Sequence, residues 1–434
     1  MAILQNSQNP PVYQIMDEDD AVSGLIFPQK VFLNNGIPVH IIRADEQEVF
    51  KMAIIFKAGS FYQDKMYSAY FTRKMLYEGT EKMSAKQLAE VFDFYGASLE
   101  ITNNIEFITL NVICLSKYLD KIIEVVYDII FHSAFPGQEL QLHKENKTRD
   151  ILLDQKKVRE VARHHFCTML FGKDNPYGSY PSAEDVAAIQ REVVMRFYDR
   201  YIKPGNFSII ISGKITDESL KSVSRFFGSH KLMYNEGLFE RNYSISQDSN
   251  KHQYFPVEGV VQSALRIGNH AVNRLNEDYP ALTVLNTLLG GYFGSRLMRN
   301  LREDKGYTYG VNSTLLSFPE AGYFFVASEV KGLHTNDAVK EVYNEINKLR
   351  DEIIPDDELE RVKNVMFGRF LRSIDGVYAQ SEMLTELFRF GLDFSYCKKH
   401  LNRVRNMGSV EVNDMASKYF VVDEMFEVIA GIKQ

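Results

Sequence analysis

The chain has 434 residues, 45% of them hydrophobic, a composition typical of a folded protein with two or three domains. Its 50 Lys and Arg residues against 57 Asp and Glu residues give a net charge of -7, and the sequence contains no long basic run. Nucleic acid and anionic membrane surfaces are therefore poor candidate partners.

The N-terminus and the cysteines predict a cytoplasmic location. The first residues form only a short apolar run with no basic segment before it, so they do not resemble a signal peptide. No stretch of the chain approaches the roughly 20 apolar residues of a membrane span. Cys114, Cys167 and Cys397 are far apart and lack metal-type spacing, which favours buried thiols in a reducing compartment.

The first half of the chain alternates between strand and helix patterns. Ser84 and Gln87 form a capping box, and the helix that follows ends at Gly96. The other predicted elements are a hairpin in "VFLNNGIPVHIIR", a buried strand over 52–60, two strands over 97–114, a helix from Ser116, helices from about 137 to 202, a strand in "NFSIIISGKI" and a helix to Phe227.

The second half repeats this order, which indicates a tandem duplication. Gly213 ends "SIIISG" and Gly431 ends "FEVIAG", 431 − 213 = 218 positions apart. The predicted elements are a strand over 260–268, a helix entered at Pro280, a helix over 295–304, a strand pair over 309–330 and a helix over 339–349.

These patterns predict an α+β fold with two homologous domains. Each domain is a mostly antiparallel sheet with helices packed on one face, because two consecutive helices precede each hairpin and argue against a simple βαβ repeat. The predicted boundaries are an N-terminal tail over 1–27, a first domain over 28–227, a polar linker over 228–258 and a second domain over 259–434.

Four sequence blocks in a fixed order resemble the pitrilysin or insulinase-type zinc peptidases, the family of mitochondrial processing peptidase. The blocks are "YSAYFTRKMLYEGT" at 67–80, "NPYGSYPSAEDV" at 175–186, "FYDRYIKPGNFSIIISG" at 197–213 and "LGGYFGSRLMRNLREDKGYTYGV" at 289–311. The likeness covers nearly all of the chain from about residue 30. It implies that the chain forms half of a clamshell.

In that family an inverted His-x-x-Glu-His motif on one helix binds zinc and supplies a general base, and a later Glu completes the ligand set. The matching positions here are Tyr70, Arg73 and Lys74, with Gln155 aligned to the later Glu. Two fixed cations at about 4 Å repel by roughly 4 kcal/mol at an effective dielectric of 20, and neither acts as a base near neutral pH. The resemblance therefore implies a zinc-less member, inactive alone, without a metal or other cofactor in this chain.

The run "YFTRK" has two interpretations. In the first, the helix is a packed element whose cations are solvated or paired with carboxylates; in the second, an ion pair fills the place of the metal. A zinc site elsewhere is not indicated. No two of the ten histidines have i, i+4 spacing, His164 and His165 face different sides, and His143 with Glu145 falls in a helical region.

The resemblance assigns substrate binding to Arg302 and Tyr309 in "LREDKGYTY", which in the family hold the peptide near the scissile bond. A guanidinium and a phenol suit that role as hydrogen-bond donors. Alternatively, Arg302 is a solvated helix end and Tyr309 an edge-strand aromatic. Gly290, Gly291 and Gly294 lack the spacing of a nucleotide loop and predict a close approach of backbone to backbone or to a peptide.

Three functional hypotheses follow. In the first, the chain is a non-catalytic subunit of a heteromeric zinc peptidase, whose homologous partner carries zinc while this chain contributes Arg302 and Tyr309 to peptide binding. In the second, it is a peptide-binding or scaffold protein without a proteolytic role, like the core subunits of the respiratory cytochrome bc complex. The third, a free-standing peptidase, needs catalytic groups that the sequence does not offer.

Overall fold

The computed structural model describes residues 22–46, 48–233 and 239–432, in two mixed helix and sheet domains. The strands are β1 (Gln29–Phe32), β2 (Pro38–Arg43), β3 (Val49–Phe56), β4 (Ser98–Asn103), β5 (Ile108–Leu115), β6 (Phe207–Gly213), β7 (His252–Pro256), β8 (Gln262–His270), β9 (Thr308–Ser317), β10 (Gly322–Lys331) and β11 (Phe426–Gly431).

The α-helices of the first half are α1 (Ser68–Met75), α2 (Ala85–Tyr95), α3 (Leu119–Phe131), α4 (Gly137–Asp154), α5 (Val158–Phe171), α6 (Ala183–Ala188), α7 (Arg191–Tyr201) and α8 (Asp217–Phe227). Those of the second half are α9 (Tyr279–Asn286), α10 (Thr335–Asp351), α11 (Asp356–Ser373), α12 (Gly376–Phe388), α13 (Phe394–Arg405) and α14 (Ser409–Tyr419). Two π-helical segments, Thr287–Gly291 and Met298–Asp304, follow α9.

The two sheets have the same topology. Their strand orders are β1-β2-β6-β3-β5-β4 and β7-β11-β8-β10-β9. In each sheet the last strand of the domain pairs in parallel with one neighbour, β2 or β7, and antiparallel with the other, β3 or β8. The α+β fold with two homologous, mostly antiparallel domains is thus confirmed.

Gly213 and Gly431 occupy equivalent places at the ends of β6 and β11. Both have a positive φ, +107° and +150°. A Cβ on Gly213 would lie 2.2 Å from the carbonyl oxygen of Val49, and one on Gly431 2.6 Å from the Cα of Ser263. The glycine is required at both places because the chain leaves the sheet against a neighbouring strand.

Local sequence signals account for the predicted turns and caps. The β1–β2 hairpin turns through Gly36 at φ +89°, and the Ser84 side chain accepts a hydrogen bond from the Gln87 N–H at the start of α2. Gly96 ends that helix in the left-handed conformation. The hairpin and the capped helix are both confirmed.

The structure adds contacts within the predicted linker and the predicted N-terminal tail, whose boundaries stay predictions. Within the described part of 228–258, β7 pairs in parallel with β11, so the second sheet takes in residues predicted as linker. In the described part of the predicted tail, Gln380 of α12 hydrogen-bonds to the Ile26 N–H and the Gly24 carbonyl. Residues 1–21 and 234–238 lie outside the described residues.

Each half also supplies a helix to the other half's sheet. Helix α5 packs against β8 and β11, and α12 packs against β2, β3 and β6. Burial on the first sheet reflects this, since β3 is buried along nearly its whole length instead of on alternate residues. The domain's own helices cover one face, as predicted, and α12 covers the other.

The cysteines are free, and Cys114 and Cys397 are buried. Burial raises the pKa of the Cys114 thiol to about 12 and that of Cys397 to about 11, so neither is a ready nucleophile. No helix in the described part of the chain is long and apolar enough to cross a membrane.

Candidate functional site

Helix α1, which carries the degenerate zinc motif, is held by packing on three sides. Phe71, Thr72 and Met75 are fully buried, and the Thr72 hydroxyl donates to the carbonyl of Val194 at 3.2 Å. Tyr67, just before the helix, has a φ of 66°, a strained value for a bulky residue, and its hydroxyl donates to the Pro181 carbonyl at 3.1 Å. These contacts hold the backbone of α1 in place at the motif positions Tyr70, Arg73 and Lys74.

Arg73, which aligns with the family's catalytic Glu, is bound to the protein by neutral groups. Its Nη1 donates to the Ile101 carbonyl at 3.1 Å, on the edge strand β4, and its Cζ lies 5.3 Å from the centre of the Tyr70 ring. Burial lowers the pKa of the guanidinium. Burial, followed by the charge of Arg73, also lowers the pKa of Lys74.

Helix α4 presents charged side chains to the motif. The Lys147 ammonium lies 5.2 Å from the Tyr70 ring centre. Burial raises the pKa of Tyr70, and the Asp150 carboxylate adds to that rise. The same carboxylate partly offsets the lowering of the Lys74 pKa by burial. His143 Nε2 is 2.7 Å from an oxygen of Glu78, just beyond α1. These α4 residues have i, i+4, i+7 spacing and so share one face.

Gln155 immediately follows the last residue of α4 and is exposed. It lies five residues, about 7.5 Å of helix rise, beyond Asp150, which faces the motif. Its alignment with the later Glu of the family stays a prediction from sequence.

The donor set at these positions does not fit zinc. Zinc in proteins takes imidazole, thiolate or carboxylate ligands, and the motif offers a phenol, a guanidinium and an ammonium. Across the described residues, no group of three or more His, Cys, Asp or Glu side chains is arranged to hold a metal ion. The half-buried Arg73 guanidinium contacts a carbonyl and a ring, no ion pair of Arg73 or Lys74 is formed within the described residues, and the two interpretations of this run stay predictions.

The two residues assigned to substrate binding lie on adjacent elements of the second half. Arg302 is on the π-helical segment Met298–Asp304, which packs against β9, and Tyr309 is near the start of β9, an edge strand. The Arg302 guanidinium lies 4.7 Å from the ring centre of the exposed Phe293. Tyr309 is 88% exposed and lines a pocket of about 370 Å³.

That pocket lies where the two halves meet, and the guanidiniums of Arg159 and Arg266 line it together with the carboxylate of Glu329. Arg159 and Ala162 of α5 form one side, and the strands of the second sheet form the other. Arg266 is 8% exposed, and its guanidinium lies 4.2 Å from the Phe325 ring centre. The Arg266 guanidinium forms no side-chain hydrogen bond or ion pair within the described residues. The pocket can therefore accept an acidic or carbonyl group beside the Tyr309 hydroxyl.

Two sequence models of one family match this chain: residues 39–175 match the insulinase family, peptidase family M16, and residues 188–366 match the peptidase M16 inactive domain. The chain belongs to peptidase family M16. The predicted family is thereby confirmed.

Relatives and solved structures of the M16 type span most of the chain. An uncharacterised zinc protease, YmxG, of Bacillus subtilis (strain 168) is 24% identical, with 83% of this chain and 88% of that protein covered. An uncharacterised zinc protease of Rickettsia felis is 23% identical, with 89% and 94% covered.

Among solved structures, a peptidase M16 inactive domain from Pseudomonas fluorescens has a TM-score of 0.82 at 22% identity, covering 94% of this chain and 98% of that one. A protease from Helicobacter pylori has a TM-score of 0.84 at 15% identity, covering 94% and 100%. At these identities the likeness shows a shared two-domain fold.

The glycines of the M16 block at 289–311 allow backbone to approach backbone. A Cβ on Gly290 would lie 2.4 Å from the backbone nitrogen of Ser313 on β9, and one on Gly291 would lie 3.0 Å from the Asn286 carbonyl oxygen. The close approach predicted for these glycines is found within the protein itself. It holds β9, and with it Tyr309, against the helical segment.

The rings of His164 and His165 lie 4.9 Å apart and nearly parallel, so the expectation that they face different sides is wrong. His164 stacks on Tyr180 at 3.6 Å between ring centres, and His165 stacks on Phe255 of β7 at 3.5 Å. Burial lowers the pKa of His164 to about 3, so its ring is neutral at physiological pH. The pair therefore adds no charge to the site.

Sequence reasoning missed Lys147, Asp150, Arg159 and Arg266. The first two could have been found from the helical spacing that begins at His143. The guanidiniums come together only because α5 lies on the second sheet, which no local pattern specifies.

Proposed function

We propose that this chain is a non-catalytic subunit of a heteromeric zinc peptidase. A homologous partner carries the His-x-x-Glu-His motif and its zinc, and this chain contributes peptide-binding groups to a shared chamber. The observation that carries the proposal is the contrast between its two sites. On the motif helix, Arg73 is held by the Ile101 carbonyl and the Tyr70 ring, whereas Tyr309 stands exposed beside a pocket lined by two guanidiniums and one carboxylate.

The roles of Arg302 and Tyr309 follow from their surroundings. No carboxylate lies within ion-pair distance of Arg302 in the described part of the chain, and its stacking on Phe293 leaves the edge of the guanidinium available to a peptide carbonyl. Tyr309 is exposed enough for its hydroxyl to donate a second hydrogen bond. Both bonds would strengthen as charge develops on the carbonyl oxygen during attack by the partner's zinc-bound water.

The first experiment is affinity purification of this chain from its native cells, with mass spectrometry of the bound proteins and zinc measured per chain. We expect a partner of similar size carrying His-x-x-Glu-His, at one copy per copy of this chain, with all the zinc on the partner. Recovery of the chain alone and free of metal would instead favour a scaffold role. We also propose that the chain is cytoplasmic, because its three cysteines are far apart in the sequence, as is usual in a reducing compartment. The cytoplasm is therefore the fraction to purify from.

The second experiment measures peptide cleavage by the purified pair. We expect Arg302→Ala and Tyr309→Phe each to lower kcat/KM by about 10–100-fold, as loss of a donor to a developing oxyanion does. Arg369→Ala, an exposed guanidinium on α11, is the matched control and should leave kcat/KM unchanged. Full activity in both variants would contradict the peptide-binding assignment and favour a scaffold without a role in proteolysis.

A further inference from the structure

The second half contains a larger pocket, remote in sequence from the motif helix and from Tyr309. It has a volume of about 590 Å³ and lies among α9, α11, α12 and α13. Phe370, Met383, Leu387 and Leu401 supply apolar walls. Its size and lining are those of a small-molecule site.

Three polar atoms that belong to residues lining this pocket are buried without a hydrogen-bond partner. They are Arg274 Nε, the Tyr396 hydroxyl and His400 Nδ1. The rings of Tyr396 and His400 are 5.7 Å apart, so two of the orphaned groups are neighbours. Buried polar groups are almost always paired, and several such atoms around one pocket point to a polar group that enters it.

The charge of the pocket selects an anion. Arg274 lies beside Tyr279, Tyr396 and Cys397, whose phenols and thiol are neutral, since burial raises their pKa values above the usual range. Burial, with Arg274 second, lowers the pKa of His400 to about 4, so its imidazole is neutral at pH 7. These four side chains beside the Arg274 guanidinium are therefore all uncharged at pH 7.

The two carboxylates on the pocket wall are already paired with cations outside it. Glu382 is 2.8 Å from the Lys51 ammonium of β3, and Glu386 is 2.5 Å from Arg389. No carboxylate of the described residues lies within ion-pair distance of Arg274. The guanidinium instead packs 4.4 Å from the centre of the Phe390 ring. A half-buried cation without a carboxylate partner is stabilised by an acidic ligand.

We propose that this pocket binds a small amphipathic carboxylic acid. Its carboxylate accepts hydrogen bonds from Arg274 and the Tyr396 hydroxyl, and its hydrocarbon part lies along Phe370, Met383 and Leu401. The assignment rests on the pocket alone and does not require that the chain take part in proteolysis.

The test is isothermal titration calorimetry of the full chain with octanoate, and with 1-octanol as the probe that lacks the charge. We expect octanoate to bind one site with a Kd of about 0.1–1 mM, ordinary for a ligand of this size, and octanol to bind at least about 10-fold more weakly. Arg274→Gln should weaken octanoate at least about 10-fold, and the exposed Arg369→Gln should not change it.

Tyr396→Phe keeps the test decisive if Arg274→Gln fails to fold. The Tyr396 hydroxyl has no hydrogen-bond partner in the protein. We therefore expect this variant to unfold at the same temperature as the parent or a higher one, and to bind octanoate about 3–10-fold more weakly. Equal affinities for octanoate and octanol, full affinity in either pocket variant, or no octanoate binding at 5 mM would each overturn the proposal.

Discussion

The clearest chemical change in this M16 chain is at a single residue, Arg73. A guanidinium at the position of a catalytic base cannot accept a proton near neutral pH. It has become part of the packing instead, joined to the edge strand through the Ile101 carbonyl and to its own helix through the Tyr70 ring. The motif helix therefore depends on a positive charge at this position.

Restoring an acid there is expected to destabilise the fold. Arg73→Glu removes a charged hydrogen bond and sets a half-buried carboxylate against a carbonyl oxygen, so we expect the free energy of unfolding to fall by about 2–4 kcal/mol. Urea unfolding measures the change. Lys86→Glu on the exposed face of α2 is the control and should stay within about 0.5 kcal/mol of the parent. If Arg73→Glu left the free energy of unfolding unchanged, the Arg73 guanidinium would be solvated and not part of the packing.

A second residue pair ties stability to pH. Glu106 is 3% exposed, and the Tyr177 hydroxyl donates to its carboxylate at 2.6 Å. Burial, which outweighs the hydrogen bond from Tyr177, raises the pKa of Glu106 above its ordinary value of 4.5. The folded state therefore holds this proton to higher pH than the unfolded state, and stability falls as pH rises from 4.5 through the folded pKa.

Glu106→Gln keeps the acceptor for Tyr177 and removes the titration. We expect its free energy of unfolding, relative to the parent, to increase between pH 4.5 and pH 8, as measured by urea unfolding across that range. Glu258→Gln, at an exposed loop position, should show no such trend. A difference that shrinks with rising pH would show that the carboxylate is stabilised in the folded state.

The sequence assigns Tyr70, Arg73 and Lys74 to the zinc-motif positions because a helical motif fixes their spacing, and that assignment stays a prediction. The sequence did not predict what the replacements do. The partners of Arg73 come from β4 and from its own helix, and the charges that face Lys74 come from α4, more than 70 residues later in the sequence. Such contacts depend on tertiary packing.

At the level of elements, the glycine block positions the strand that carries Tyr309. Gly290 lies against the Ser313 backbone, where a side chain would collide with main-chain atoms that cannot move aside. Gly290 and Gly291 lie within the first of the two π-helical segments, an irregular geometry that is frequent at functional sites.

Gly290→Ala is expected to lower the free energy of unfolding by about 2–4 kcal/mol because β9 must shift to admit the methyl group. Gly368→Ala is the opposite control. That glycine lies on the exposed side of α11 with no atom within 4 Å of the new methyl group, so alanine should stabilise the helix by about 0.5–1 kcal/mol. Equal effects of the two variants would contradict the packing role of Gly290.

Strongly patterned elements were predictable, and irregular ones were not. The hairpin around Gly36 and the capped helix α2 have local signals that agree with the fold. Strand β7 was taken for linker because its five residues pair with β11, about 170 positions away, and its own sequence has no alternation.

At the scale of the whole molecule, the two domains are joined by reciprocal exchange of helices. Cys167 on α5 lies 3.7 Å from the Tyr323 hydroxyl of β10, and His270 Nε2 on β8 donates a hydrogen bond to the Leu170 carbonyl at 2.8 Å. Lys51 on β3, 4% exposed, pairs with Glu382 on α12. Local periodicity revealed the duplication but not this exchange.

Separate fragments covering 1–235 and 236–434 are expected not to fold alone, because each lacks the helix that covers one face of its sheet. Expressed together, they should co-purify and unfold in one transition, monitored by circular dichroism. A first fragment that unfolds cooperatively on its own, with the full chain showing two transitions, would contradict this mutual dependence.

The exchanged helices also determine where movement can occur. Separating the two domains would pull α5 from one sheet and α12 from the other, exposing the apolar surfaces that both helices bury. Two spin labels, one on each domain, should therefore report a constant distance whether or not a peptide is present. Under the proposed pairing with a second chain, an opening that admits a peptide would form at the boundary between the chains, and this chain would move there as one rigid body.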